Sequence, residues 1–177
     1  MRARKIALVG TVATAFLLTG CGGTIDGTPV AEKDKIGSGD DYQKLLGECN
    51  TVADEDIAKT VGGTSIDHTF YGAICRWDIG SPSGNVKVTF NWFETGSLDV
   101  ERKALEKLKY GIKDISVQGR KAIQETRPGD GDSCGVTAGA PDIGIIGWWV
   151  QYPPGSAHGD PCAAATKLME LSLDLSR

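Results

Sequence analysis

Five cysteines, two histidines, four tryptophans and the turn Asp130-Gly131-Asp132 are the features of this 177-residue sequence able to carry chemistry. Nucleophilic hydrolysis would need a serine at the centre of a Gly-x-Ser-x-Gly elbow. Gly80-Ser81-Pro82-Ser83-Gly84 puts proline there instead. His68 and His158 stand in polar, turn-rich stretches, where a lone imidazole is ordinarily solvated rather than a general base. Neither has the finger-like spacing from a cysteine that zinc requires, and the sequence lacks Cys-x-x-Cys, His-Glu-x-x-His and a Walker loop. A calcium loop starting at Asp130 would need an oxygen ligand at position 134, which is Cys134, so an acidic turn is expected. The sequence therefore predicts no catalytic residue, no metal and no cofactor. The outside alternative is a small hydrolase in which a serine approaches His68 or His158 in space.

Residues 1–20 read as an export leader. Arg2, Arg4 and Lys5 precede the apolar run Ile6 to Leu18, which as helix spans about 20 Å against the roughly 30 Å of a hydrocarbon core. The run closes in Leu18-Thr19-Gly20-Cys21, a lipobox: a branched apolar residue, two small ones, then the cysteine whose thiol takes a diacylglyceryl group. Cys21 is the expected lipidation site, and two or three acyl chains anchor stably where one does not. Loss of residues 1–20 leaves 16 basic against 23 acidic side chains, a formal −7. Such a body is repelled by anionic head groups, so the acyl chains alone should hold it at the extracytoplasmic face of the cell membrane. Residues 21–40, with five glycines and no aromatic residue, form the expected tether, with a coil dimension of about 25 Å.

Once Cys21 is assigned to lipid, Cys49, Cys75, Cys134 and Cys162 make an even set in an oxidising compartment. Three pairings are open. Loop length favours Cys49–Cys75 and Cys134–Cys162, 26 and 28 residues apart.

The elements that must position these groups fit one domain over 41–177. Tyr42, Leu45, Leu46 and Cys49 repeat at helical spacing. Asp54 can cap a second helix that Gly62-Gly63 ends. Cys75, Trp77 and Ile79 alternate with polar residues, as do Val86, Val88, Phe90 and Trp92, and the turn at 81–85 makes them a hairpin. A helix over 98–110 carries the stripe Val100, Ala104, Leu105 and Leu108. Strands follow over 112–118, 120–126, 133–138 and 144–152, and a last helix runs from Asp160 and Pro161 through Ala164, Leu168, Leu171 and Leu175. Short antiparallel connections with helices between strand groups predict an α+β fold, an antiparallel sheet flanked by helices. The negative charge speaks against a nucleic-acid partner.

Trp148 and Trp149 are neighbours in a strand, so they emerge on opposite faces. Ile146, Trp148, Val150 and Tyr152 make one apolar face, while Trp149 falls with Gly147 and Gln151. Either helices cover both faces, or Trp149 walls an apolar groove or anchors a partner. Trp92 and Phe93 pose the same choice, and all three are candidate ligand or partner residues.

Several stretches give the chain a recognisable look: Gly72-Ala73-Ile74-Cys75-Arg76-Trp77, Phe90-Asn91-Trp92-Phe93, Glu101-Arg102-Lys103, Cys134-Gly135-Val136, Gly147-Trp148-Trp149-Val150, and Cys162 with Lys167-Leu168-Met169-Glu170-Leu171. Through them it resembles the actinobacterial lipoproteins typified by LprB and LprC, a family of unknown function, over nearly the whole mature domain. The resemblance implies a cell-envelope lipoprotein and supplies no catalytic residue; a sandwich like the PsbP-like domains is the fold expected by analogy. The expectation is a lipid-anchored, non-catalytic envelope module that binds a protein or a cell-wall component such as a glycan. The alternative is a carrier or sensor of an apolar envelope lipid or small molecule.

Overall fold

Alternating strands and short turns give the computed structural model its order, which is described over residues 47–71, 74–141 and 143–174. The leader, Cys21, the tether, Tyr42, Leu45, Leu46 and Leu175 lie outside the described residues. A 3-10 turn, Gly47–Asn50, precedes helix α1 (Asp54–Thr60), strands β1 (Ser65–Tyr71), β2 (Ile74–Ser81) and β3 (Gly84–Phe93), and helix α2 (Leu98–Lys107). Then come β4 (Gly111–Val117), β5 (Arg120–Thr126), β6 (Ser133–Gly139), β7 (Ile145–Gln151) and helix α3 (Pro161–Asp174). The strands form one antiparallel sheet in the order β1-β2-β3-β7-β6-β5-β4. The fold is α+β, an antiparallel sheet flanked by helices.

One face of the sheet, here the inner face, holds the main core. Trp77, Ile79, Val86, Val88, Val136, Trp148 and Val150 pack there with Ile57 and Val61 of the α1 segment and Leu168, Met169 and Leu173 of α3. Trp148 sits between Trp77 and Phe90, with ring centroids 5.4 and 4.9 Å away, and its indole N–H donates to Ser172 Oγ at 2.8 Å. The Asp160 carboxylate accepts the Cys162 N–H at 2.8 Å and Pro161 opens the helix, so α3 starts as its sequence dictates. Disulfides join Cys49 to Cys75 and Cys134 to Cys162, fixing the 3-10 turn to β2 and the start of α3 to β6.

Three local expectations are corrected. Strand β1 has no counterpart in the sequence reading, because its first five residues, Ser-Ile-Asp-His-Thr, lack apolar alternation; Ile66 packs against the core and His68 stacks on Trp77. Asp54 does not cap α1. Ala53 holds that position without a side-chain bond, and the Asp54 carboxylate instead accepts the Trp77 indole N–H at 2.6 Å. A buried donor left unmet costs about 1–3 kcal/mol, more than a cap contributes on average. In α2 only Leu105 of the expected stripe is buried, while Val100 and Leu108 are 64% and 60% exposed. At 100° per residue Leu105 lies about 140° round the helix from Val100, and a helix laid on a sheet buries one of these directions, not both.

Helix α2 lies over β4, β5 and β6 on the outer face, where Leu105, Ile123 and Ile145 are the buried apolar residues. Among the described residues, no helix packs on the outer face of β2 and β3 as α2 does on β4, β5 and β6.

Candidate functional site

Register places two rows of side chains across the outer face. One runs Arg76, Thr89, Trp149, Gly135, Glu125; the next runs Ile74, Asn91, Gly147, Thr137, Ile123. Neighbours in a row are about 5 Å apart, the spacing between strands. Each row contains one glycine, and each glycine makes room. A Cβ at Gly135 would stand 2.2 Å from Trp149 Cε3 and 2.7 Å from Glu125 Cγ. At Gly147 it would stand 2.3 Å from Asn91 Oδ1 and 3.1 Å from Thr137 Oγ1. The two glycines thus let an indole and three polar side chains converge around a recess of about 50 Å³ lined by Thr89, Asn91, Glu125, Thr137 and Trp149. It has room for one or two water-sized groups.

Glu125 is buried, and Thr137 Oγ1 donates to its Oε1 at 3.1 Å. Burial pushes its pKa from 4.5 up to about 7; the Thr137 hydrogen bond opposes the rise, Glu101 of α2 adds to it and Arg127 works against it. Trp149 is half-buried, with the Arg127 guanidinium 4.5 Å from its ring centroid and Tyr110 at 6.2 Å. Among the described residues, two buried N–H groups on this face have no hydrogen-bond partner: Trp149 Nε1 and Arg76 Nε. The nearest carboxylate to Arg76 Nε is that of Asp78, at 3.6 Å. Buried donors are almost always satisfied, which sets the Trp149 indole N–H apart.

A family model described as a protein of unknown function (DUF3558) matches residues 16–175. The chain belongs to this family. Comparison with curated proteins and with solved structures finds no match.

In this DUF3558 member the three aromatic residues singled out in the sequence occupy three separate places. Trp149 faces the polar recess rather than an apolar groove. The apolar groove, about 330 Å³, lies elsewhere, lined by Phe90, Trp92, Ala140, Pro141 and Ile146 with Glu48, Thr51 and Ser172. Trp92 is half-buried there, its indole N–H donating to the Ile143 carbonyl at 3.3 Å. Phe93, next in the strand, is 41% exposed on the opposite face.

The histidines sit in built environments rather than open loops. His158 Nε2 lies 2.9 Å from Asp132 Oδ1 and Nδ1 lies 2.6 Å from the Gly159 carbonyl, while its ring stacks on Tyr152 at 4.4 Å. Two acceptors on two ring nitrogens favour the imidazolium, and its pKa is raised, chiefly by the Asp132 hydrogen bond. His68 stacks on Trp77 at 4.6 Å with Nδ1 3.6 Å from Asp54; its Nε2 is buried without a partner. Among the described residues, neither imidazole is hydrogen-bonded to a serine. Asp130 accepts from Ser133 Oγ and the Asp132 N–H, and Asp132 from His158 and the Gly155 N–H, so their oxygens brace the turn.

Glu125, Thr137, Asn91, Arg76 and Arg127 were not singled out by sequence. The available signal was an isolated glycine inside each of two strands, which marks a close approach of other groups to the backbone.

Proposed function

We propose that this protein is a lipid-anchored, extracytoplasmic envelope module that binds a protein or cell-wall component without transforming it, through the outer sheet face around Trp149. The observation that carries the reading is the buried Trp149 indole N–H, without a hydrogen-bond partner among the described residues, beside a glycine-floored recess flanked by Arg76 and Arg127. Anchoring rests on Leu18-Thr19-Gly20-Cys21 and on the resemblance to LprB and, more closely, LprC. Among the described residues no helix is long and apolar enough to cross a membrane; in this reading the acyl chains on Cys21 hold the domain there.

Two measurements test it. Intact mass of the native product should show a diacylglyceryl-modified Cys21 at the N-terminus; an unmodified cysteine removes the anchor. Cross-linking on intact membranes should capture an envelope component that Trp149→Ala loses. Capture unaffected by that variant would move the site elsewhere.

The groove at Trp92 favours a second reading, a carrier of an apolar envelope lipid or small molecule. Native mass spectrometry separates the two: co-purifying lipid that Trp92→Ala releases supports the carrier.

A further inference from the structure

Resting on the reading of the outer face as a binding surface, we infer that the row Arg76, Thr89, Trp149, together with Arg127, receives a carboxylate group of a cell-wall ligand. The two unmet groups on this face are donors. Among the described residues Trp149 Nε1 is buried without a hydrogen-bond partner and Arg76 Nε has only the ion pair to Asp78 at 3.6 Å, so the missing group must accept hydrogen bonds. Two guanidinium groups make that acceptor anionic. Arg127 stacks on the Trp149 ring, and each arginine has only a loose carboxylate neighbour, Asp130 at 3.8 Å and Asp78 at 3.6 Å. Arginine presents a planar fork of donors that matches a carboxylate. The recess beside them, with the amide of Asn91 and the hydroxyls of Thr89 and Thr137, takes a hydroxyl or amide substituent of the same ligand.

Glu125 sets the condition. Ionised, it would repel an anion at the recess; burial keeps it protonated below about pH 7. The other charged groups facing it are Glu101 of α2, which favours the neutral form, and Arg127, which opposes it. Asp114 of β4, on the same face, is ion-paired to Arg102. Binding of a carboxylate should therefore strengthen as pH falls through 7.

Two sources supply this chemistry in a cell wall, an acidic saccharide and the C-terminus of a short peptide, and matched probes distinguish them. The mature chain with Cys21→Ser is titrated with N-acetylmuramic acid against N-acetylglucosamine, and with D-alanyl-D-alanine against its C-terminal amide. The readout is the indole N–H resonance of Trp149, assigned with Trp149→Phe. The acid of one pair should move this resonance to lower field, the neutral partner much less. Arg76→Gln and Arg127→Gln should each weaken binding about tenfold, the scale of one lost charge-assisted hydrogen bond. Glu125→Gln should tighten binding at pH 8 and leave it unchanged at pH 5.5. Equal response to acid and neutral probes overturns the carboxylate assignment and leaves the binding reading standing. No response to any probe, with the protein still retained on isolated cell walls, also overturns the assignment alone. No response and no retention on walls or membranes overturns both.

Discussion

Trp149 lies over Gly135: a methyl group on that glycine would stand 2.2 Å from the indole Cε3. The backbone there is extended, so space alone excludes a side chain. Gly135→Ala must therefore push the indole off the sheet or bend β6. Overpacking of this kind costs about 1–3 kcal/mol. Urea denaturation of Gly135→Ala should show that loss, together with a changed Trp149 indole resonance. A variant as stable as the wild type, with the resonance in place, would mean that the indole does not rest there.

Glu125 makes stability depend on pH with a definite sign. Its folded-state pKa is about 7 against 4.5 for the free side chain, so the folded chain holds a proton that the unfolded chain has released. Stability then falls as pH rises from about 4.5 through 7, and levels off above it. The full difference is about 3 kcal/mol. In Glu125→Gln, where Thr137 still meets a carbonyl oxygen, this part of the slope should vanish. The check is urea midpoints at pH 5, 6, 7 and 8; parallel curves for the two proteins would refute the buried acid.

The His158–Asp132 pair adds a second pH dependence. The His158 pKa is raised by its Asp132 hydrogen bond, so its contribution is fully present below about 6.5 and fades as pH rises through the folded-state value. Asp132 is lowered by the same bond, and its contribution is lost on acidification below its ordinary 3.8. His158→Asn, made in the Glu125→Gln background to remove the other slope, should lower Tm at pH 5.5 more than at pH 8.5. An equal drop at both would show that the ring matters only for its stacking on Tyr152.

Cys134–Cys162 ties the buried centre of the sheet to the first turn of α3, closing a loop of 28 residues. Replacing both cysteines with alanine should cost about 3–4 kcal/mol in the chain-entropy description. Cys49–Cys75, with its cysteines 26 positions apart, should cost a similar amount by the same relation. Urea midpoints of the two double variants test this. A free-thiol count of zero tests that all four are oxidised, and non-reducing peptide mapping that recovers Cys49 with Cys75 and Cys134 with Cys162 tests the pairing itself.

The sequence by itself determined the elements whose signals are local. The hairpin of β2 and β3 follows from alternation and a Pro-Ser-Gly turn, and the start of α3 from Asp160 and Pro161. The opposite facing of Trp148 and Trp149 follows from the period of a strand. Strand β1 escaped because Ser65 to Thr69 holds a single apolar residue, Ile66, too few to show an alternation. The orientation of α2 escaped because which apolar direction a helix buries depends on the sheet beneath it. Tertiary structure alone decided the site. Asn91, Trp149, Thr137 and Glu125 come from four strands, and their convergence depends on a sheet order, β3-β7-β6-β5, that is not the order of the chain. Glu125 looks in sequence like any solvated carboxylate; only the burial imposed by neighbouring strands and α2 desolvates it, and desolvation is what changes its charge.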